Sequence, residues 1–334
     1  MRIHDTRHAQ SSIAPLLAFT ALLLSGVCLA AEKPEDVEWR FGESLYQTEL
    51  YRPAAEQYEK FLKLYPQDAR AEEGTFKLAD CWLRLGSYDK SISVLEDLFR
   101  AYEKGAFKER KFYELSFFRL GHALFAQSSF EKATAPLEKF IGFADSDQTK
   151  DLKPTAVYEL ALSYHAMGKL AEAVKRFRES VKLGDPRYRE RASYLVGELE
   201  LQQGRHSAAI EALKLFLKEY PKSSLCDKAR LNLAHALFQS QDYAAAAAEY
   251  AQVGGEFESE ARLAEFQALL LLKSYKDATQ RGEAFLQKFP AHSAGARVRF
   301  SLAECAFQTR NWERCAHHAA ALLGTTPPEN RETL

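Results

Sequence analysis

The sequence has no sustained alternation of apolar and polar residues, so a sheet is excluded as its organising element. It also has no HExxH, no GxSxG, no glycine-rich phosphate loop and no CxxC. The metalloprotease, serine hydrolase, nucleotide-binding and dithiol chemistries therefore lack the residues they need at the spacing they need. Net charge is −1 with nine histidines counted neutral, which provides no strong field to gather nucleic acid or acidic lipid. The one short basic run, Lys108–Lys111, reads as loop or helix-end charge rather than a nucleic-acid stripe. Glu198 and Glu200 stand two apart, hence on different helix faces, and read as solvated charge rather than an acid–base pair.

What is present differs between the start of the chain and the rest. Arg2 and Arg7 precede an apolar run, Ile13–Val27, followed by small residues with Cys28 and Ala30 at the −3 and −1 positions of a cut before Ala31. A charged start, a short apolar stretch and a small-residue site read as a secretory signal peptide over residues 1–30. The run is too short for a comfortable membrane span. A lipid on Cys28 would want Gly or Ala before the cysteine, and Val27 stands there. The expected location is periplasmic or secreted, with no membrane span after cleavage and with peripheral envelope association open.

From Glu35 to about Pro328 one pattern recurs. YRPAAEQYEKFLKLYP (Tyr51–Pro66) returns as YDKSISVLEDLFRAY (Tyr88–Tyr102), HSAAIEALKLFLKEYP (His206–Pro221) and YKDATQRGEAFLQKFP (Tyr275–Pro290). Weaker copies begin at Phe130, Leu170, Tyr243 and Trp312. Three residues after each of these eight anchors comes a small residue: Ala54, Ser91, Ala133, Ala173, Ala209, Ala246, Ala278 and Cys315. Nine before the anchor, seven copies carry Gly or Ala, and the seventh copy breaks the rule with Phe266. Each copy has two apolar stripes at helical spacing, separated by a short polar turn that often holds Gly (Gly86, Gly168, Gly204). Small residues at two fixed points let two antiparallel helices approach closely. A single hairpin cannot bury its own apolar face, so stacked neighbours must do it.

The pattern resembles the tetratricopeptide repeat in its small-residue, turn-aromatic and terminal proline positions (Pro66, Pro221, Pro290, Pro327). The resemblance implies an all-α fold: a right-handed superhelical α-solenoid of about eight antiparallel helix-pair repeats. It departs from the usual repeat ten residues after the anchor, where Ala is replaced by Phe61, Leu98, Phe140, Phe216, Phe285 and Leu322. The FLxxYP endings are similar to those of bacterial envelope members, the outer-membrane assembly lipoproteins and Tol–Pal-associated periplasmic proteins. Two connections are longer, Glu103–Phe112 and Ala144–Pro154, and read as surface loops or helix extensions. Residues 329–334 read as a short tail or a truncation point.

In such arrays the first helix of each pair lines the concave face. Twelve before the anchor stand Trp39, Phe76, Phe118, Tyr158, Tyr194 and Phe300; five before it stand Tyr46, Phe125, His165, Phe238 and Phe307; eight before it stand His122 and His235. These are the candidate partner-binding residues: aromatic rings give much contact area at little entropy cost, and suit an extended peptide or an amphipathic helix. The same positions also pack helix on helix. The carboxylate clamp of chaperone-binding members is not expected, because acids and aromatics hold its places and Asn232 stands alone.

Cys305, Cys315, His317 and His318 come nearest to a metal set, but Cys315 occupies a small-residue core position, so neither metal nor cofactor is expected. Of the cysteines left after cleavage, only Cys305 and Cys315 share a repeat and could pair. The expected function is a non-enzymatic protein-binding scaffold of the bacterial cell envelope. The alternatives are a glycan- or peptidoglycan-binding module, or the binding half of an enzyme or transport assembly. Mass spectrometry of the native protein should find an amino terminus at Ala31; an intact Met1 would remove the export reading.

Overall fold

The computed structural model describes residues 32–143 and 149–325. The leader reading of residues 1–30, the proposed tail at 329–334 and the middle of the second long connection lie outside the described residues. The described residues hold sixteen α-helices and one short 3-10 turn, and no strand. The all-α reading stands: the chain is an α-solenoid of consecutive helix pairs.

Two compact units divide it, the first ending at Gly86 and the second starting at Ser87. The first holds α1 (Pro34–Gln47), α2 (Tyr51–Leu64) and α3 (Ala71–Arg84). The second holds α4 (Tyr88–Glu103), α5 (Arg110–Ala126), α6 (Phe130–Phe143), α7 (Lys153–Ala166), α8 (Leu170–Leu183), α9 (Arg189–Gln202), α10 (His206–Glu219), α11 (Cys226–Gln239) and α12 (Tyr243–Tyr250). After the 3-10 turn at Gly255–Phe257 it continues with α13 (Glu258–Leu271), α14 (Tyr275–Lys288), α15 (Gly295–Gln308) and α16 (Trp312–Thr325). Within each unit, helices adjacent in sequence pack against one another.

Every anchor is the first residue of an even-numbered helix. Two residues earlier the backbone turns left-handed in all eight copies: at Gly86, Gly168 and Gly204, and at Glu49, Ser128, Gln241, Lys273 and Arg310. This is the Schellman stop. After α5, for example, the Ser128 amide donates to the Phe125 carbonyl at 2.8 Å and the Ser129 amide to the Leu124 carbonyl at 2.9 Å. The turn glycines of the sequence are thus the three copies in which the left-handed residue costs least.

The FLxxYP ending has a local cause. Tyr65, Tyr220 and Phe289 each precede proline, which disfavours helical backbone at the residue before it. All three leave the helix at φ between −128° and −124°. Their rings fold back on Phe61, Phe216 and Phe285 at centroid distances of 5.5, 5.3 and 5.3 Å. The large residue ten after the anchor is therefore core, fully buried in Phe61, Leu98, Phe140 and Phe216.

Closeness within a pair is set by one small residue facing one large one. A Cβ added to Gly121 would lie 2.6 Å from Leu137 Cγ, and one added to Gly197 would lie 2.6 Å from Leu213 Cγ. At Gly42 it would lie 3.2 Å from the Tyr58 ring. The exception in the seventh copy is a swap: Phe266 on α13 faces Gly282 on α14, where an added Cβ would meet the Phe266 ring at 2.8 Å. The pair keeps its volume and exchanges which helix supplies it.

The insertion before α5 becomes both loop and helix extension, since α4 runs on to Glu103 and α5 begins at Arg110. The four described cysteines carry no disulfide. Burial pushes the thiols of Cys81 and Cys305 up to about 12 and about 11, so neither supplies a thiolate at neutral pH.

Gly121→Ala should lower stability by about 1–3 kcal/mol through overpacking against Leu137. Gly121→Leu combined with Leu137→Gly rebuilds the Phe266–Gly282 arrangement and should recover part of the loss caused by Gly121→Leu alone. Urea unfolding of the four proteins measures the coupling.

Candidate partner-binding face

The odd-numbered helices carry the candidate residues, and the structure sorts them by exposure. Phe76, Phe118, Tyr158 and Tyr194 are buried; Trp39, Tyr46, His122, Phe125, His165, His235 and Phe238 are half-buried; Phe300 and Phe307 are exposed.

In the first unit, Trp39 leans on Phe61 and Tyr58 at 5.2 and 5.7 Å. The Arg70 guanidinium and the Lys77 ammonium lie over it at 5.5 and 5.4 Å. Arg70 is fixed by Asp36 and Asp68, each at 2.8 Å, and its hydrogen bonds hold the Asp68 carboxyl down at about 2. Tyr46 donates to Asp80 at 2.6 Å, and the buried Asp80 also accepts from Arg84 at 2.7 Å. Cations over rings and a satisfied carboxylate leave this face rigid.

In the second unit the polar groups form a row across successive odd helices. His122 Nδ1 lies 2.6 Å from Glu159 Oε1, and Phe118 stacks on the imidazole at 5.8 Å. The other Glu159 oxygen is buried without a hydrogen-bond partner. Tyr158 stacks on Tyr188 at 4.6 Å. Tyr194 donates its hydroxyl proton to Glu198 at 2.6 Å and accepts from Asn232 at 3.0 Å, while Lys228 pairs with Glu198 at 2.9 Å. Burial, together with the bond to Glu198, raises the Tyr194 hydroxyl far above its ordinary value, so it stays a donor. His235 lies edge-on to Tyr250 at 5.5 Å with Nε2 3.8 Å from Glu260. Phe125 and Phe238 meet Phe130 and Tyr243 edge to face at 5.8 and 5.3 Å.

An open depression of about 460 Å³ lies in this row, lined by His165 on α7, Glu198, Leu201 and Gln202 on α9, and Asn232 on α11. It combines one aliphatic side chain, Leu201, with donors and acceptors from three helices.

One sequence expectation is corrected here. Glu200 is not solvated: it is 2 % exposed, with Arg178 at 2.7 Å and Arg205 at 3.4 Å, because its position faces the neighbouring helices rather than water. Asn232, the one clamp-type Asn the sequence offered, donates to Tyr194. The sequence reading also passed over Glu159, Tyr188, Lys228 and Glu260, the partners that hold the candidate residues. They come from the next copy, and only the stacking of helices pairs them. No described group of His, Cys, Asp or Glu residues is arranged to hold a metal.

A second feature belongs to the inserted connection. Phe99, Tyr102, Tyr113 and Phe117 line a pocket of about 530 Å³ together with Glu103, Lys108, Arg110 and Lys139. Lys139 sits over the Phe117 ring at 4.5 Å.

Burial lowers the pKa of His235, with Glu260 opposing in part. The folded state then binds fewer protons here than the unfolded chain, so this contribution is present above about pH 6.5 and lost as pH falls toward the depressed folded value. Thermal unfolding between about pH 7 and pH 5 should show a falling midpoint, with a shallower fall in His235→Phe.

Two models of the tetratricopeptide repeat match the chain, one over residues 40–106 and 158–224, the other over 200–270, together more than half its length. No curated protein matches. Among solved structures, that of Naa15/Naa10 bound to HypK is similar at 14% identity and a TM-score of 0.59, over 90% of this chain and 45% of that one. The C-terminal part of a TPR repeat-containing protein from Cytophaga hutchinsonii is similar at 15% identity and a TM-score of 0.52, over 78% of this chain and 99% of that one. At these identities the likeness is one of fold.

Proposed function

The chain belongs to the tetratricopeptide repeat family, and on that footing we propose that it is a non-enzymatic adaptor of the bacterial cell envelope. It captures a peptide segment or helix of a partner protein on the face of its odd-numbered helices. Members of this family generally mediate protein–protein interaction as scaffolds. The observation that carries the reading is the open depression at His165, Leu201, Gln202 and Asn232. Its polar groups come from three rigid helices, so a bound segment meets preorganised donors and acceptors at little ordering cost.

The envelope assignment draws on the leader-like residues 1–30 and the FLxxYP endings. Among the described residues no helix is long and apolar enough to cross a membrane. The non-enzymatic reading draws on the raised cysteine thiols and on carboxylates such as Asp80, Glu200 and Glu265 that are spent on ion pairs.

A second reading has its own observation. The aromatic pocket at Phe99, Tyr102, Tyr113 and Phe117 offers rings and lining cations suited to stacking a sugar, as a glycan- or peptidoglycan-binding module would.

A photo-crosslinking residue at Gln202 should capture a protein partner in intact cells, and one at Lys214 on α10 should not. His165→Ala with Asn232→Ala should abolish that capture while the circular dichroism spectrum is unchanged. Equal capture from both positions would remove the face assignment. Enrichment on purified cell-wall sacculi, lost in Tyr102→Ala with Tyr113→Ala, would instead favour the glycan reading.

A further inference from the structure

We propose that copies of the chain join head to tail: the aromatic face left open on α15 and α16 of one copy receives α1 of the next, as an added repeat-to-repeat joint.

The argument rests on register. Within each unit, residues twelve before the anchor, five before it and at the anchor itself face the following copy. In the first seven copies every one of them is buried or half-buried. In the eighth the same three positions are Phe300, Phe307 and Trp312, exposed to 54, 57 and 58 %. Phe307 and Trp312 hold each other edge to face at 5.5 Å, so the face is already shaped.

The opposite face shows the converse. Fourteen, ten and seven before the anchor, the later copies carry small or aliphatic residues, with one Glu265, and all are buried except the half-buried Leu120. In α1 these positions are Val37, Phe41 and Ser44, with Val37 48 % and Phe41 56 % exposed.

The internal joints show how such faces meet. A Cβ on Gly74, fourteen before its anchor, would lie 3.4 Å from Trp39, twelve before the preceding anchor. In the last internal joint Leu263 packs in the same cluster as Val298, so a valine at the Val37 register is accommodated.

Charge selects the occupant as well. Glu43, eight before its anchor, pairs with Lys77, eleven before the next, at 2.5 Å. The equivalents at the open ends are Glu304 and Arg40, opposite in charge and both exposed. Arg40 pairs with Glu32 at the exposed surface, a contact the joint would exchange for Glu304, and of the acids on α1 Asp36 is held by Arg70 and Glu38 by Lys60. A second copy thus supplies the apolar residues and the cation at the register that this face receives elsewhere in the molecule.

Three rings a little over half exposed offer about 300–400 Å² from one side, below the area of a permanent interface. The association is therefore reversible and concentration-dependent. Because the contact is heterologous, it extends into chains unless its rotation closes a ring.

Sedimentation velocity of the full chain, run over a concentration series, tests this. The wild-type mass should rise with concentration. Phe41→Glu and Phe307→Glu, at exposed sites, should each stay monomeric with unchanged circular dichroism; if either misfolds, Arg40→Glu or Glu304→Arg replaces it. Mixing the two monomeric variants should restore dimers and nothing larger, since each keeps one intact face. A wild type that remains monomeric at high micromolar concentration overturns the proposal. So does self-association of Phe41→Glu alone, which would indicate two α15 faces meeting, or self-association of both variants, which would place the contact elsewhere. None of these outcomes bears on capture from Gln202.

Discussion

The close approach of two helices at one small-against-large pair is the constraint on which the remaining structure depends. Where Gly121 meets Leu137, or Gly197 meets Leu213, there is no room for even one methyl group. Within each unit, that distance brings the anchor end of a helix pair into a turn short enough for the Schellman stop, and sets the spacing at which the next pair can stack. The seventh copy shows that the physics asks for a volume rather than a residue: Phe266 and Gly282 fill the same gap from the other side.

Stacking in turn decides what the polar residues do. Glu200, Glu265 and Asp80 are carboxylates at 2 % exposure or less, and each is matched by arginines at hydrogen-bond distance. Buried charge of this kind is costly unless paired, and removing one partner would leave the other stranded. Of these pairs, Arg178–Glu200 and Arg281–Glu265 join different helices, while Arg84–Asp80 lies within one helix and the Tyr46 hydroxyl ties Asp80 to α1. The face of the odd-numbered helices inherits its rigidity from the same arrangement: Tyr194 held between Glu198 and Asn232, and Trp39 under Arg70 and Lys77.

That rigidity is what a binding surface needs and what the proposed joint between copies would extend. The aromatic residues of the register serve packing wherever a following copy covers them, as in Phe118 and Tyr158, and become surface where it does not, as in Phe300 and Phe307. One residue type at one position therefore has two uses, and position in the array selects between them.

Much of the fold was legible in the residues. The eight anchors are eight helix starts, the turn glycines mark left-handed positions, and the proline endings stop helices, because each is a local backbone effect written within a few residues. The five left-handed residues that are not glycine left no such mark. The candidate face was legible only as a list of positions. Which of its rings are buried, that His122 meets Glu159, and that Glu200 meets Arg178 depend on contacts between copies some twenty to forty residues apart. Repeat spacing and turn chemistry act along the chain, so the amino-acid order carries them; burial and ion pairing arise between helices, so only the packed structure could decide them.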